Sequence, residues 1–361
     1  MPIGLGDDSM IRSLQIGRGF AALAVAAYHL SIMFGDPRFG FSPVLSNFTD
    51  HGYLGVDFFF VLSGFIILSA HTRDIGVPAQ AGQFFLKRFI RVYPLYWIFT
   101  AVVLIGSAAT GGVNGVPTHF ADLASVVTLI HWVPYDPPLN PSWTLYYEIM
   151  FYVLFSILIL NRRIGWIVLA AWFLTAAVLW EYPAHGDWSF SSAFFSVFNL
   201  SFLAGICAFW LSNNSSQRVA GALISMGIAI FAGTYYFDMD ILPFEDIRPL
   251  YSVAFMLLLG GLAALERLGW RPSGSWLLML GDASYTLYLS HESVGSTALK
   301  IVKKLRVADF IDQRIIYFAI LSAMIVFALV FYRLVEKPLL DQMRKVLRRR
   351  KLVTPQDLAA A

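Results

Sequence analysis

Arg18 and His29 stand eleven residues apart in an otherwise apolar stretch, Gly17-Arg-Gly-Phe-Ala-Ala-Leu-Ala-Val-Ala-Ala-Tyr-His29. Ionisable side chains at membrane depth are costly, which makes them functional candidates by default. If the stretch is helical, the spacing brings both side chains to within about 20° of one face, about 16 Å apart along the axis. That face carries a guanidinium able to clamp an anion and an imidazole able to take and release a proton near neutral pH. A hydrogen-bonded bundle histidine is the structural alternative for His29 alone, and the Arg18 spacing favours function.

Further candidates follow the same logic. Lys87-Arg88-Phe-Ile-Arg91-Val-Tyr-Pro94 sets Arg88 and Arg91 at i and i+3 on one face at a helix mouth, suited to bidentate phosphate binding. The alternative for that pair is ordinary positive charge at a cytoplasmic boundary. Pro94 reads as a helix start or kink. Asp57, among aromatics in Gly52-Tyr-Leu-Gly-Val-Asp-Phe-Phe-Phe-Val-Leu-Ser-Gly64, must find an Arg or His partner. It would then either orient the base or pair structurally within the bundle. Glu148, in Ser142-Trp-Thr-Leu-Tyr-Tyr-Glu148, is a second intramembrane carboxylate fit to bind an acceptor hydroxyl. Trp143 and Tyr147 could form a sugar platform or belong to an interfacial aromatic belt. Ser284, Tyr288 and His291 share a face at spacings of four and three. Glu336, in Tyr332-Arg-Leu-Val-Glu-Lys-Pro338, sits beside basic residues and suits a closing salt bridge or a catalytic role.

Composition fixes what must position these groups. Of 361 residues 58% are hydrophobic and only 14% charged, and the mean hydropathy is +0.65, which places the chain among integral membrane proteins. Segments near 16–34, 53–71, 92–109, 142–160, 164–180, 190–210, 219–237, 249–265, 276–298 and 314–335 are long enough to span. The expected architecture is therefore all-α, a polytopic bundle of about ten transmembrane helices. One domain would cover 1–340, followed by a basic cytoplasmic tail at 341–361. A shorter stretch near 121–131, bounded by Gly/Asn/Pro-rich runs, reads as interfacial or re-entrant. Arg73, Lys87, Arg88, Arg91, Arg162, Arg163 and the tail bases predict both termini in the cytoplasm. Lys300, Lys303, Lys304 and Arg306 contradict that rule. The single Cys207 excludes an intrachain disulfide. No metal-ligand spacing, nucleotide loop, nucleic-acid motif or internal repeat is present.

Taken in order, six blocks resemble the acyltransferase-3 family of bacterial inner-membrane acyltransferases: Leu14-Gln-Ile-Gly-Arg18 through His29, Gly55 to Gly64, Arg88 to Pro94, Ser142 to Glu148, Ser284 to His291, and Glu336-Lys-Pro338. The resemblance implies transfer of an acyl group, commonly acetyl from acetyl-CoA, to a sugar hydroxyl of a surface polysaccharide, glycolipid or related acceptor. It implies essential roles for Arg18, His29, Arg88 and Arg91, with no metal. The derived expectation is His29 as base oriented by Asp57, Arg18 or Tyr288 aiding the oxyanion, and Arg88 with Arg91 holding the CoA phosphates. An acetyl-His29 intermediate is the rival mechanism. Two other classes compete. In a proton-coupled transporter or flippase, His29, Asp57, Glu148 and His291 would form a relay. In a scaffold for polysaccharide assembly, the polar residues would only hold helices together.

Overall fold

The computed structural model describes residues 11–109, 116–130, 132–133, 136–180, 189–238 and 244–352, with only the helical backbone at 238, 244–246 and 347–352. The connections at 110–115 and 181–188, the side chains of Arg348 to Lys351 and the end of the tail lie outside the described residues, together with what the sequence suggested of them. Helices carry the whole architecture, and no β-strand is found among the described residues.

The long helices run up and down between two ends. The first, α1 (Arg12–Gly35), is followed by the short α2 (Ser46–Thr49), then by α3 (Leu54–His71) and α4 (Ala81–Ala109). After the short α5 (Phe120–Thr128) come α6 (Trp143–Leu160) and α7 (Arg162–Leu179). Next are α8 (Phe190–Phe195), α9 (Asn199–Asn214), α10 (Gln217–Asp238) and α11 (Phe244–Arg267). The chain closes with α12 (Ser275–Asp282), α13 (Ser284–Lys304), α14 (Gln313–Phe331), a π-turn at Tyr332–Glu336 and α15 (Lys337–Leu352).

Eight helical segments among the described residues are long and apolar enough to cross a membrane. The stretches read from sequence at 190–210 and 276–298 are covered in pieces, by α8 with α9 and by α12 with α13. Helix α4 begins well before Pro94 and runs through it. Proline here removes one ladder donor inside a helix that its neighbours hold in place.

Residues on the outside of α4, α7 and α14, among them Ile105, Ile167, Val178 and Val326, expose large apolar side chains suited to lipid contact. Between helices, hydrophobicity gives little preference over lipid, so close packing and polar contacts decide the arrangement. Helices α3 and α9 show this. A Cβ on Gly205 would fall 1.9 Å from the Val61 carbonyl oxygen, and one on Gly64 2.2 Å from that of Phe202. Gly205→Val should force the two helices apart and cost about 1–3 kcal/mol. A thermal unfolding scan in detergent checks this, and an unchanged midpoint would contradict the packing.

Helix α5 explains the polar-bounded stretch after α4. Its last carbonyls, on Val126, Val127 and Thr128, accept hydrogen bonds from Tyr96, Trp97 and Tyr93 halfway along α4. The end of α5 thus lies beside the middle of α4, with its last carbonyls satisfied by aromatic donors.

At the opposite end of the bundle the first donors of α1 meet a neighbour. Glu266, near the end of α11, accepts from the backbone N–H of Arg12 at 2.6 Å and of Ser13 at 2.9 Å, as well as from the Ser13 hydroxyl. A carboxylate at a helix N-terminus satisfies orphan donors and complements the dipole.

Candidate active site

Helix α1 carries two polar centres, both turned towards the pass formed by α12 and α13. At the Arg12 end, Arg18 donates to Gln15 Oε1 at 3.1 Å, and the Gln15 amide donates to Asp282 Oδ1 at 2.6 Å. A Cβ on Gly281 would strike the Gln15 carbonyl oxygen at 2.0 Å, so glycine is what lets α12 lie this close to α1. Arg18 is within electrostatic reach of Arg91, Glu336, Glu148 and Asp282. Four separate elements thus bring charges to one place.

The two arginines of α4 are held differently. Arg91 donates to Glu336 Oε1 at 3.1 Å, and its guanidinium lies 5.2 Å from the centre of the Tyr285 ring. Glu336 is 1% exposed and also accepts from Thr286 Oγ1 at 2.7 Å. The π-turn that presents it is a device often found at functional sites. Arg88 lies over the Tyr152 ring and points one amino group at Nε2 of His71, 3.4 Å away, while His71 Nδ1 donates to Asp74. The Nε–H of Arg88 is buried with no hydrogen-bond partner among the described residues. Glu148 accepts from Ser63 Oγ at 3.0 Å and from the Tyr152 hydroxyl.

Towards the Gly35 end, His29 meets His291 and Glu292. His291 is buried and its Nδ1 lies 2.7 Å from the Tyr288 carbonyl oxygen, so Nδ1 carries the proton and Nε2 of the neutral ring accepts. That Nε2 lies 3.2 Å from His29 Nδ1, which also lies 3.0 Å from the Val25 carbonyl oxygen and is therefore the donor of the pair. The second nitrogen of His29, Nε2, stands 3.5 Å from Glu292 Oε1. The His29 and Glu292 side chains keep 28% and 24% of their surface, so neither is sealed in the bundle. Asn140 donates to Glu292 at 2.8 Å. Tyr288 pairs with Thr144 at 3.0 Å and feels the charges of both Glu292 and Glu148. Ser284 lies on the same face, buried, with no partner for its hydroxyl among the described residues.

Four expectations from sequence change. Asp57 does not orient His29: its carboxylate is 1% exposed and taken by Arg248 of α11, with contacts of 2.5 and 3.2 Å. Arg248 also stacks over Phe198 and Tyr53. The carboxylate beside His29 is Glu292. Tyr147 cannot offer its ring to a sugar, because it is 1% exposed and packed against Phe60, Phe198 and Trp143, which is itself only partly open. Arg18 lies about 16 Å along α1 from His29, too far to aid an oxyanion there. Nor do His29, Asp57, Glu148 and His291 form one relay; among them only His29 and His291 are joined by a hydrogen bond.

Glu292 and Arg248 were absent from the sequence reading, although each is a charged residue near or within an apolar stretch and the depth argument applied to His29 would have flagged both.

A family model described as an acyltransferase domain matches residues 11–333, nearly all of the bundle just described. The chain belongs to the acyltransferase-3 family. Among relatives of this acyltransferase, the exopolysaccharide production protein ExoZ of Rhizobium meliloti is 30% identical over 305 residues, covering 81% of this chain and 91% of ExoZ. The acyltransferase MdmB of Streptomyces mycarofaciens is 28% identical over 304 residues, 76% of each chain. A Staphylococcus aureus protein provisionally named an O-acetyltransferase is 24% identical over 384 residues, 95% of this chain and 59% of that one. No solved structure matches significantly.

Proposed function

We propose that this acyltransferase moves an acetyl group from acetyl-CoA to a hydroxyl of a surface polysaccharide or lipid-linked glycan. It would work from the bacterial inner membrane, with both termini and the Arg12 end in the cytoplasm. The observation that carries the reading is the division of α1 between an arginine-rich centre and an imidazole–carboxylate pair.

Arg88 and Arg91 suit the donor's phosphates. Each guanidinium is braced on a tyrosine ring, and the buried Nε–H of Arg88 lacks the acceptor that a phosphate oxygen would supply. Arg18, deeper along the same path, extends the positive field towards the thioester. A pantetheine arm in extended form covers the interval from that centre to His29.

At the second centre the hydrogen bonds leave the lone pair of His29 on Nε2, the position a general base requires. His29 removes the proton of the attacking hydroxyl while the new C–O bond forms at the thioester carbonyl. The C–S bond then breaks, and the imidazolium returns the proton to the departing thiolate. Between these events the Glu292 carboxylate, 3.5 Å from that same nitrogen, stabilises the imidazolium by its charge. Tyr288, one turn before His291, is placed to donate to the oxyanion.

Membranes containing the protein, incubated with radiolabelled acetyl-CoA and lipid-linked glycan, should yield labelled glycan. Arg88→Lys replaces a planar fork by a point charge and should raise KM for acetyl-CoA by about tenfold. Equal KM values in the two forms would remove Arg88 from donor binding.

A further inference from the structure

Helix α13 ends in a group of bases that the reaction does not use. Lys300, Lys304 and Arg306 are exposed, and Lys303 Nζ donates to the Arg38 carbonyl oxygen at 2.7 Å. This contact fixes the loop after α1 against the end of α13, at the end of the bundle opposite Arg88, Arg162 and Arg163. Basic residues near short loops normally gather on the cytoplasmic side, so topology gives this group no reason to exist.

Its surroundings indicate what it meets. Ile301, Leu305 and Phe310, interleaved with the bases, are exposed apolar side chains at the rim of the bundle. A cleft of about 520 Å³ beside Phe310 is lined by Ser42, Asp309, Phe310, Asp312, Gln313 and Arg314, among others. The acidic residues of the same segment are Asp309 and Asp312, and Asp312 caps the next helix through the Arg314 N–H. Arg38 is satisfied by Asp36. Lys300, Lys303, Lys304, Arg306 and Arg314 therefore outnumber the carboxylates around them.

The same helix leads from this group to the base. Lys303 lies eleven residues beyond Glu292, within about 20° of the same face and about 16 Å further along. From these observations we infer that the end of α13 binds the phosphate of a membrane-anchored, phosphate-linked glycan, with the lipid chain against the exposed apolar residues and the sugar reaching back to His29. The inference rests on the acyltransferase reading and names the class of acceptor for it. A neutral soluble acceptor would give neither the cations nor the apolar rim a task.

The full chain in phosphatidylcholine nanodiscs tests this with two probes, a short prenyl pyrophosphate carrying N-acetylglucosamine and the decyl glycoside of the same sugar. The wild type should prefer the pyrophosphate probe by at least about tenfold, as a few lysine or arginine contacts to an anionic lipid provide. The K300Q/K304Q/R306Q variant should lose the preference, and K300R/K304R/R306K should keep it. The inference fails if the wild type shows no preference, if the glutamine variant retains it, or if phosphatidylglycerol competes as well as the probe and so reveals a site for bulk headgroups. Binding is read without acyl donor, and transfer to the same probe is read separately with acetyl-CoA added. Preference without acetyl transfer therefore counts against the acyltransferase reading alone, and transfer without preference counts against the phosphate site alone.

Discussion

Replacing His29 by alanine should cut acyl transfer by about 10²–10⁴-fold, the usual contribution of a positioned general base. Because the arginine centre lies about 16 Å away along α1, acetyl-CoA binding should survive the change almost intact. Transfer rates and binding of a non-hydrolysable CoA thioether, measured on the same membranes, separate the two effects. Glu292→Gln keeps the side-chain shape and the Asn140 contact but removes the charge that stabilises the imidazolium, so it should give a smaller loss of kcat with little change in donor KM. Wild-type transfer by the His29 variant would end the mechanism. Labelled acetyl recovered on His29 itself would favour the covalent route over direct attack.

The second large effect concerns stability. Asp57→Ala leaves the Arg248 guanidinium buried between Tyr53 and Phe198 without its carboxylate. Removing one member of a buried ion pair costs about 3–5 kcal/mol, whereas replacing both by apolar residues of similar size is often nearly neutral. Asp57→Ala should therefore melt well below the wild type in detergent, and Asp57→Leu with Arg248→Met should recover most of the loss. A single variant as stable as the wild type would show that the pair does not hold α3 to α11. Full stability with lost activity would move Asp57 back into the chemistry.

What could be read ahead of the structure follows the range of the physics involved. Local helix geometry is regular, so the interval between Arg18 and His29 and their common direction followed from spacing alone. The all-α membrane bundle was legible because apolar length is a strong signal. Eight of the expected spans match segments long and apolar enough to cross a membrane, and the other two stretches are interrupted, at Ser196–Phe198 and at Ala283, where nothing in the hydropathy marks a break. Partners distant in sequence were not legible. Asp57 and Arg248 are 191 residues apart, and Arg91 and Glu336 245. No periodicity links such positions. Tyr147 illustrates a different difficulty, since an aromatic at the start of a span serves an interface or a core equally well by composition. Glu292 follows His291 by one position, about 100° round the helix, so the spacing that joins Ser284, Tyr288 and His291 does not include it.

The capping of α1 by Glu266 bears on which donors can be used. A hydrogen-bonded helix pinned at its first turn by another element is a rigid spacer: it does not stretch, and any axial slip would shift both polar centres together. On the proposed reading the spacer acts as a gauge for thioesters, and a thioester whose arm is shorter than pantetheine would engage the base or the arginines, never both at once.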